Sequence, residues 1–295
     1  MTKQFYAHGK LLLTSEYAVL KGVEALAIPC KRGQQLVYNW GGEHLHWQSK
    51  NVQNEIWFEA TFDAQAQVVK SSDRATAEFL QNLLQAALNG AELPSGEVFT
   101  QLEFERNWGL GSSSTLTSLI AQWLNCSAIN LLFETQNGSG YDVVCAEANT
   151  PILYKRKAAN AEYKLVNTPS IFKETYFVHL NKKQNSRPAV AQFLEQEIER
   201  RDLQNLEAIA SQFLTVGKST ELQELFRQHE AILANWLDTP TVQNALFNDF
   251  DGAVKSLGAW GGDFVWACGK NVVNYFKAKG YHTIIPYNQM ALTPV

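Results

Sequence analysis

Through the first third of the chain, apolar and polar residues alternate in short runs cut by glycine, asparagine or charge. KLLLTSEYAVL, EALAIPC, QQLVYNW, EHLHWQ and EIWFEATF are such runs, and they predict five strands between Lys10 and Phe62. His44 and His46 sit two apart in one of them without a nearby third ligand, which predicts a polar strand face rather than a metal site. The period then changes. SSDRATAEFLQNLLQAALNG repeats its apolar residues every three to four positions, with a serine and aspartate start and a glycine stop at Gly90, and predicts an amphipathic helix. EVFTQLEFER predicts another strand, and GLGSSSTLTSLIAQWLN a glycine-rich turn running into a helix. In the second half ETYFVHLNKK predicts a strand, and Pro188 to Leu237 two or three amphipathic helices. FVWACG reads as a strand, NVVNYFKAKG as a helix and YHTIIPYN as a strand. The pattern is interrupted by NTPS, which places a boundary near Asn167 to Ile171.

Composition narrows the possibilities. The chain has 295 residues, 45% of them hydrophobic, enough for a sizeable core in two lobes. A net charge of −4 is not that of a polycation coating nucleic acid or an acidic membrane, so neither partner is expected. No apolar run approaches the roughly 20 residues of a membrane span, and no secretory leader is expected from the first residues. Cys30, Cys126, Cys145 and Cys268 lack CxxC spacing and predict buried free thiols of a reducing cytoplasm.

The chemistry is concentrated in three turns. In the first, Gly109 and Gly111 free the backbone at a helix start, where unpaired N–H groups and the positive dipole end gather. With the hydroxyls of Ser112, Ser113 and Ser114 this makes a phosphate cradle, or else a helix capped by serine after a tight turn. It is neither a Walker A loop nor a Rossmann turn. NGSGYDVV is a second turn, ending on Asp142, where a carboxylate could orient a hydroxyl or take its proton. KSLGAWGGDFVWAC is a third, preceded by Lys255. Three small-residue turns, one with an acid and one with a lysine, fit phosphoryl transfer.

Those segments resemble the GHMP kinases, the superfamily of galactokinase, homoserine kinase, mevalonate kinase and phosphomevalonate kinase. HGKLLLTSEYAVLKG is similar to the family's N-terminal motif, GLGSSST to its phosphate loop, NGSGYD to its aspartate turn and KSLGAWGGD to its C-terminal glycine motif. The resemblance spans nearly the whole chain. It implies an α+β fold in two lobes, residues 1–168 resembling the second domain of ribosomal protein S5, with a left-handed β-α-β crossover, and 169–295 ferredoxin-like. It also implies ATP and Mg²⁺ as cofactors, a small-molecule acceptor, and a monomer or homodimer.

By position, the resemblance makes Lys10 the lysine that polarises the acceptor hydroxyl and Asp142 the aspartate that orients it or takes its proton. Gly109, Leu110, Gly111, Ser112, Ser113 and Ser114 would cradle the phosphates, with Ser113 on the metal. Glu16, Tyr17, Ser139, Ser186 and Arg187 would line the acceptor side, and Gly258, Trp260, Gly261 and Gly262 would shape the site from the C-terminal turn. Departures are visible. Ser15 replaces a glycine, Ser114 an alanine, and Trp108 and Trp260 stand where small residues are usual. The position of a second magnesium carboxylate in mevalonate kinases holds Leu131, and Glu134, one helical turn later, reads either as its substitute or as an exposed helix-end acid. The acceptor implied is phosphomevalonate, with Lys182, Lys183 and Arg187 as a phosphate grip or a solvated turn. Mevalonate is the alternative, and a non-catalytic nucleotide- or metabolite-binding homologue is the alternative of another class. Trp108 and Trp260 are expected to lie together at the mouth of the site.

Overall fold

The computed structural model describes residues 2–157, 160–182, 190, 193–258 and 262–293. Its longest strand, β2 (Ala25–Trp40), joins two runs that the sequence suggests are separate. Lys31 and Arg32 do not break it, because both face solvent while the strand stays extended. The chain forms two compact units: residues 1–9, 32–106 and 110–147 in the first, and 10–31, 107–109 and 148–295 in the second.

In the first unit, residues 2–9 of β1 (Thr2–Leu12) and 32–40 of β2 belong to a sheet with β3 (Leu45–Lys50), β4 (Ile56–Phe62), β5 (Val68–Ser71) and β6 (Gly96–Leu102), in the order β5-β4-β3-β6-β2. His46 lies on the exposed face of β3, its Nδ1 3.2 Å from Thr61 Oγ1, while the flanking Leu45 and Trp47 are buried. β3 and β6 are parallel, and between them the chain passes through β4, β5 and α1 (Arg74–Leu88). Helix α1 buries Ala77, Leu80, Leu83, Leu84 and Ala87, one stripe at helical spacing. Asp73 caps its start by accepting the Thr76 N–H, and Asn89 ends it in a left-handed conformation one residue before Gly90. Helices α2 (Ser112–Leu124), α3 (Ala128–Thr135) and α4 (Tyr141–Glu147) complete this unit. The core joins Leu80 and Leu84 of α1 to Trp47, Phe58 and Phe62 of the sheet and Leu119 and Trp123 of α2.

In the second unit, residues 25–27 of β2 pair with β7 (Ile152–Lys157), which turns back into β8 (Asn160–Leu165). The sequence pattern does not show this hairpin, because β8 is exposed almost throughout and so has no alternation. A second sheet has the antiparallel order β10-β11-β9-β12, built from β9 (Tyr176–His179), β10 (Gly252–Ser256), β11 (Phe264–Gly269) and β12 (Ile284–Pro286). That order is the ferredoxin-like one. Helices α5 (Arg200–Phe213), α6 (Ser219–Leu237), α7 (Val242–Leu246), α8 (Val272–Ala278) and α9 (Tyr287–Met290) accompany it. Trp266 on β11 is fully buried among Phe172, Phe177, Phe213, Phe226 and Tyr287, at ring separations of 4.6–6.4 Å. No helix among the described residues is long and apolar enough to cross a membrane. Cys30, Cys145 and Cys268 are buried free thiols as expected, but Cys126, just past the end of α2, is exposed.

The indole N–H of Trp266 donates to Thr175 Oγ1 at 2.6 Å inside this core. Thr175→Val keeps the shape and orphans that donor. Urea denaturation should show a loss of about 1–3 kcal/mol, the cost of an unsatisfied buried polar group.

Candidate active site

In the first unit stand the start of α2 and that of α4. Gly111 is the cap residue of α2, at φ 87°, and supplies no side-chain hydrogen bond. The serines stand inside the first turn and do not cap it. Ser114, buried, turns its hydroxyl back to Gly111 O (2.9 Å). Ser113 is exposed and donates sideways to Gln136 Oε1 (3.2 Å), whose amide donates to Thr117 Oγ1 (3.0 Å). The N–H groups of the first turn are therefore not consumed by a side-chain cap, which is the condition an anion cradle needs. Leu110 is fully buried and anchors the loop. Ser139 is buried in the turn before α4, Gly140 takes φ 87°, and Asp142, half-buried, falls in the first turn of α4. Leu131 is buried on α3 and Glu134 exposed on it.

The second unit gathers Lys10, residues 107–109 and the C-terminal turn. Lys10 Nζ donates to Gly109 O at 3.1 Å. Gly109 has φ 66°, a conformation that favours glycine, and a Cβ there would press on the Asp263 carboxylate. Asp263 is itself left-handed, at φ 51°, and is tied into β9's extension: its N–H donates to Lys182 O and its carbonyl accepts from Leu180. Gly258 is exposed at φ 69° and Gly262 is buried. Trp108 packs edge-on against Phe264 (5.6 Å) and beside His179 (6.2 Å). His179 Nδ1 accepts the Asn181 N–H at 3.3 Å, so its other nitrogen carries the proton and donates to Asn107 O, also at 3.3 Å. Trp108 thus has partners of its own on β9 and β11. Trp260 and Gly261 lie outside the described residues, as do Lys183, Ser186 and Arg187.

Glu16 and Tyr17 are buried in this unit. Glu16 Oε1 accepts from Lys255 Nζ at 2.6 Å, with both side chains inaccessible. His229 of α6 accepts the Ser15 N–H on Nε2 at 2.8 Å. The 3.3 Å separation of that nitrogen from Glu16 Oε2 is therefore a contact of two acceptors, with the imidazole proton on Nδ1. Burial pushes the His229 pKa well below its usual value, and Lys255 adds to the effect, so the ring is neutral. Burial pushes the Glu16 carboxyl up, and the Lys255 ammonium pulls it back. Glu230, the next residue of α6, is pushed up to about 8 by burial, with Lys255 opposing and Glu16 reinforcing. Ser256 faces Glu230 without closing a hydrogen bond of normal geometry. Sequence patterns point to neither His229 nor Glu230, which sit on the apolar stripe of α6. For Asp263 the only signal is its place at the end of the glycine turn.

No protein-family model matches the chain, and no curated protein does. Solved structures do. A Lin0012 protein from Listeria innocua superposes with a TM-score of 0.75 at 18% identity, over 97% of this chain and 97% of its own. The phosphomevalonate kinase of Streptococcus pneumoniae, in complex with phosphomevalonate and AMPPNP, gives 0.71 at 19% identity over 94% of this chain and 95% of its own. A mevalonate kinase gives 0.68 at 13% identity over 97% and 98%. The chain has the GHMP kinase fold.

Two outcomes follow from this geometry. Gly109→Ala should cost about 1–3 kcal/mol in chemical denaturation, the range for a strained left-handed residue, and Asp263→Ala in the same chain should recover the steric part but not the backbone part. Glu230 carries its proton in the folded protein up to about pH 8, whereas its ordinary value is 4.5. Above the ordinary value the unfolded chain binds fewer protons than the folded one, so stability falls as pH rises from about 5 towards 8, by up to about 1.4 kcal/mol per pH unit. Glu230→Gln should flatten that slope in a series of melts across this range.

Proposed function

We propose that the protein is an ATP-dependent small-molecule kinase that transfers the γ-phosphoryl group to a phosphorylated acceptor, phosphomevalonate. The observation that carries the reading is the Lys10 ammonium held 3.1 Å from Gly109 O, at the entrance of the glycine–serine loop, in a chain with this fold. Phosphoryl transfer asks for positive charge and donors placed in advance around the oxygens, and for one group to manage the nucleophile's proton. Lys10 would polarise the acceptor hydroxyl, and Asp142 would orient it or receive its proton. The uncapped first turn of α2 would accept the nucleotide phosphates on its N–H groups.

Ser113 suits magnesium by chemistry, since its exposed hydroxyl and Gln136 Oε1 are hard neutral oxygens. Among the described residues no three His, Cys, Asp or Glu side chains gather into a metal site. Ser113 would therefore hold an ion whose other ligands are largely phosphate and water, the usual habit of magnesium. When bound, that ion neutralises charge on the transferred group. Lys182 is exposed and held by the Asp263 N–H through its carbonyl, which favours it as a cation for the acceptor's phosphate. Mevalonate is the second reading, favoured by the likeness to a mevalonate kinase.

Purified protein with MgATP and phosphomevalonate, mevalonate, homoserine or galactose tests the reading, which expects transfer to phosphomevalonate above the others. Asp142→Asn and Lys10→Met should each lower kcat by about 10²-fold or more, the scale of a positioned acid or base, with nucleotide affinity largely kept. Wild-type turnover in both variants would exclude the assignment. Lys182→Ala should raise the acceptor KM alone, by the roughly 1.5–3 kcal/mol of a charge-assisted contact.

A further inference from the structure

Lys255 is fully buried in the second unit, and its ammonium bridges two pieces of chain. It donates to Glu16 Oε1 at 2.6 Å and to the carbonyl of Ser256 at 2.9 Å, the latter two residues before the turn at Gly258. Glu16 lies between Ser15 and Tyr17, which both take left-handed angles, φ 62° and 64°. With ψ −49° at Tyr17 and the Ala18 N–H on Glu16 O (2.7 Å), this is a γ-turn of the rare, strained hand. Nothing within the loop demands such angles of non-glycine residues. The loop is held from outside: His229 accepts the Ser15 N–H, the Ser15 hydroxyl donates to Glu24 O (2.7 Å), and Lys255 holds Glu16.

We propose that Glu16 and Lys255 are positioning residues: their buried ion pair keeps the Ser15–Val19 loop, which follows Lys10 and the end of β1, in its strained form and fixes it to the exit of β10. Glu16 then serves the acceptor side only through the loop, and Lys255 places no charge on any phosphate. The kinetic arm of the test rests on the kinase reading, whereas the exchange arm does not.

Two variants separate positioning from simple folding. Glu16→Leu with Lys255→Met removes both charges, and exchanging a buried ion pair for apolar residues of similar volume is often tolerated. Glu16→Gln keeps the shape and one oxygen for Lys255, and it decides the matter if the double variant does not fold. Amide hydrogen exchange by NMR reads the loop directly, because the Ser15 N–H is bonded to His229 and the Val19 N–H to Ser15 O (2.9 Å). In the folded variant both amides should exchange roughly tenfold faster or more, while amides of β6 keep their rates. kcat should fall roughly tenfold with the KM for ATP within about twofold, a split that general destabilisation would not give. Unchanged exchange at Ser15 and Val19 in a folded variant overturns the clamp. Absence of phosphoryl transfer by the wild-type protein to every acceptor would sink the kinase reading and leave the exchange result to decide the clamp alone.

Discussion

An ammonium removed from water at the end of β10 constrains much of the second unit. Leaving such an ion unpaired costs several kcal/mol, whereas a residue in a left-handed conformation costs about 1–3 kcal/mol. Pairing the ion outweighs the backbone strain, and the loop after β1 accepts two strained residues so that Glu16 reaches Lys255. The neighbouring titratable groups answer chiefly to the same burial. His229, fully buried, stays uncharged and is free to accept a backbone N–H. Glu230 keeps its proton chiefly because it is buried, with Lys255 opposing and Glu16 reinforcing. Tyr17, turned by its γ-turn, meets the ring of Phe193 at 5.9 Å, and Phe193 meets Trp236 at 5.7 Å.

A steric constraint of similar rank acts at Gly109. Its carbonyl takes the Lys10 ammonium while its missing side chain leaves room for Asp263. Trp108, one residue earlier, packs against His179 and Phe264, which form a wall on β9 and β11. A bulky residue beside a left-handed glycine holds the loop from two directions, by packing on one side and by little space on the other. Such pre-set backbone is what phosphoryl transfer uses, since its catalysis is mostly placement.

Much of this was legible in the sequence, and what was not has physical causes. The strands with one buried face and helix α1 announce themselves through period, cap and stop. β2 reads as two strands because a charged pair interrupts its pattern without interrupting its backbone. The β7–β8 hairpin is invisible because β8 buries almost nothing. The glycine–serine turn is visible as a place, but the part played by each serine is not: Gly111 occupies the cap position, and the partner of Ser113 is Gln136, just past the end of α3. The Glu16–Lys255 pair spans 239 residues, and no local periodicity expresses a contact of that range. Glu16 was expected among the acceptor's ligands because it stands in a motif. Its burial against Lys255 is what the proposed clamp rests on.

The electrostatic consequence bears on the acceptor. Lys10, after Gly9 in β1, and Lys255, before a glycine turn, differ in their surroundings. Lys255 is cancelled by Glu16 and sealed from water, whereas Lys10 is directed to the glycine loop. An acceptor carrying its own phosphate needs a further cation, because two anionic groups brought together without one repel each other by several kcal/mol once water is excluded. In the second unit a described candidate is Lys182, fastened by its backbone to Asp263 and so to the same aspartate that crowds Gly109. On the proposed reading, the segment that would grip a phosphorylated acceptor is tied through its backbone to the residue that faces Gly109.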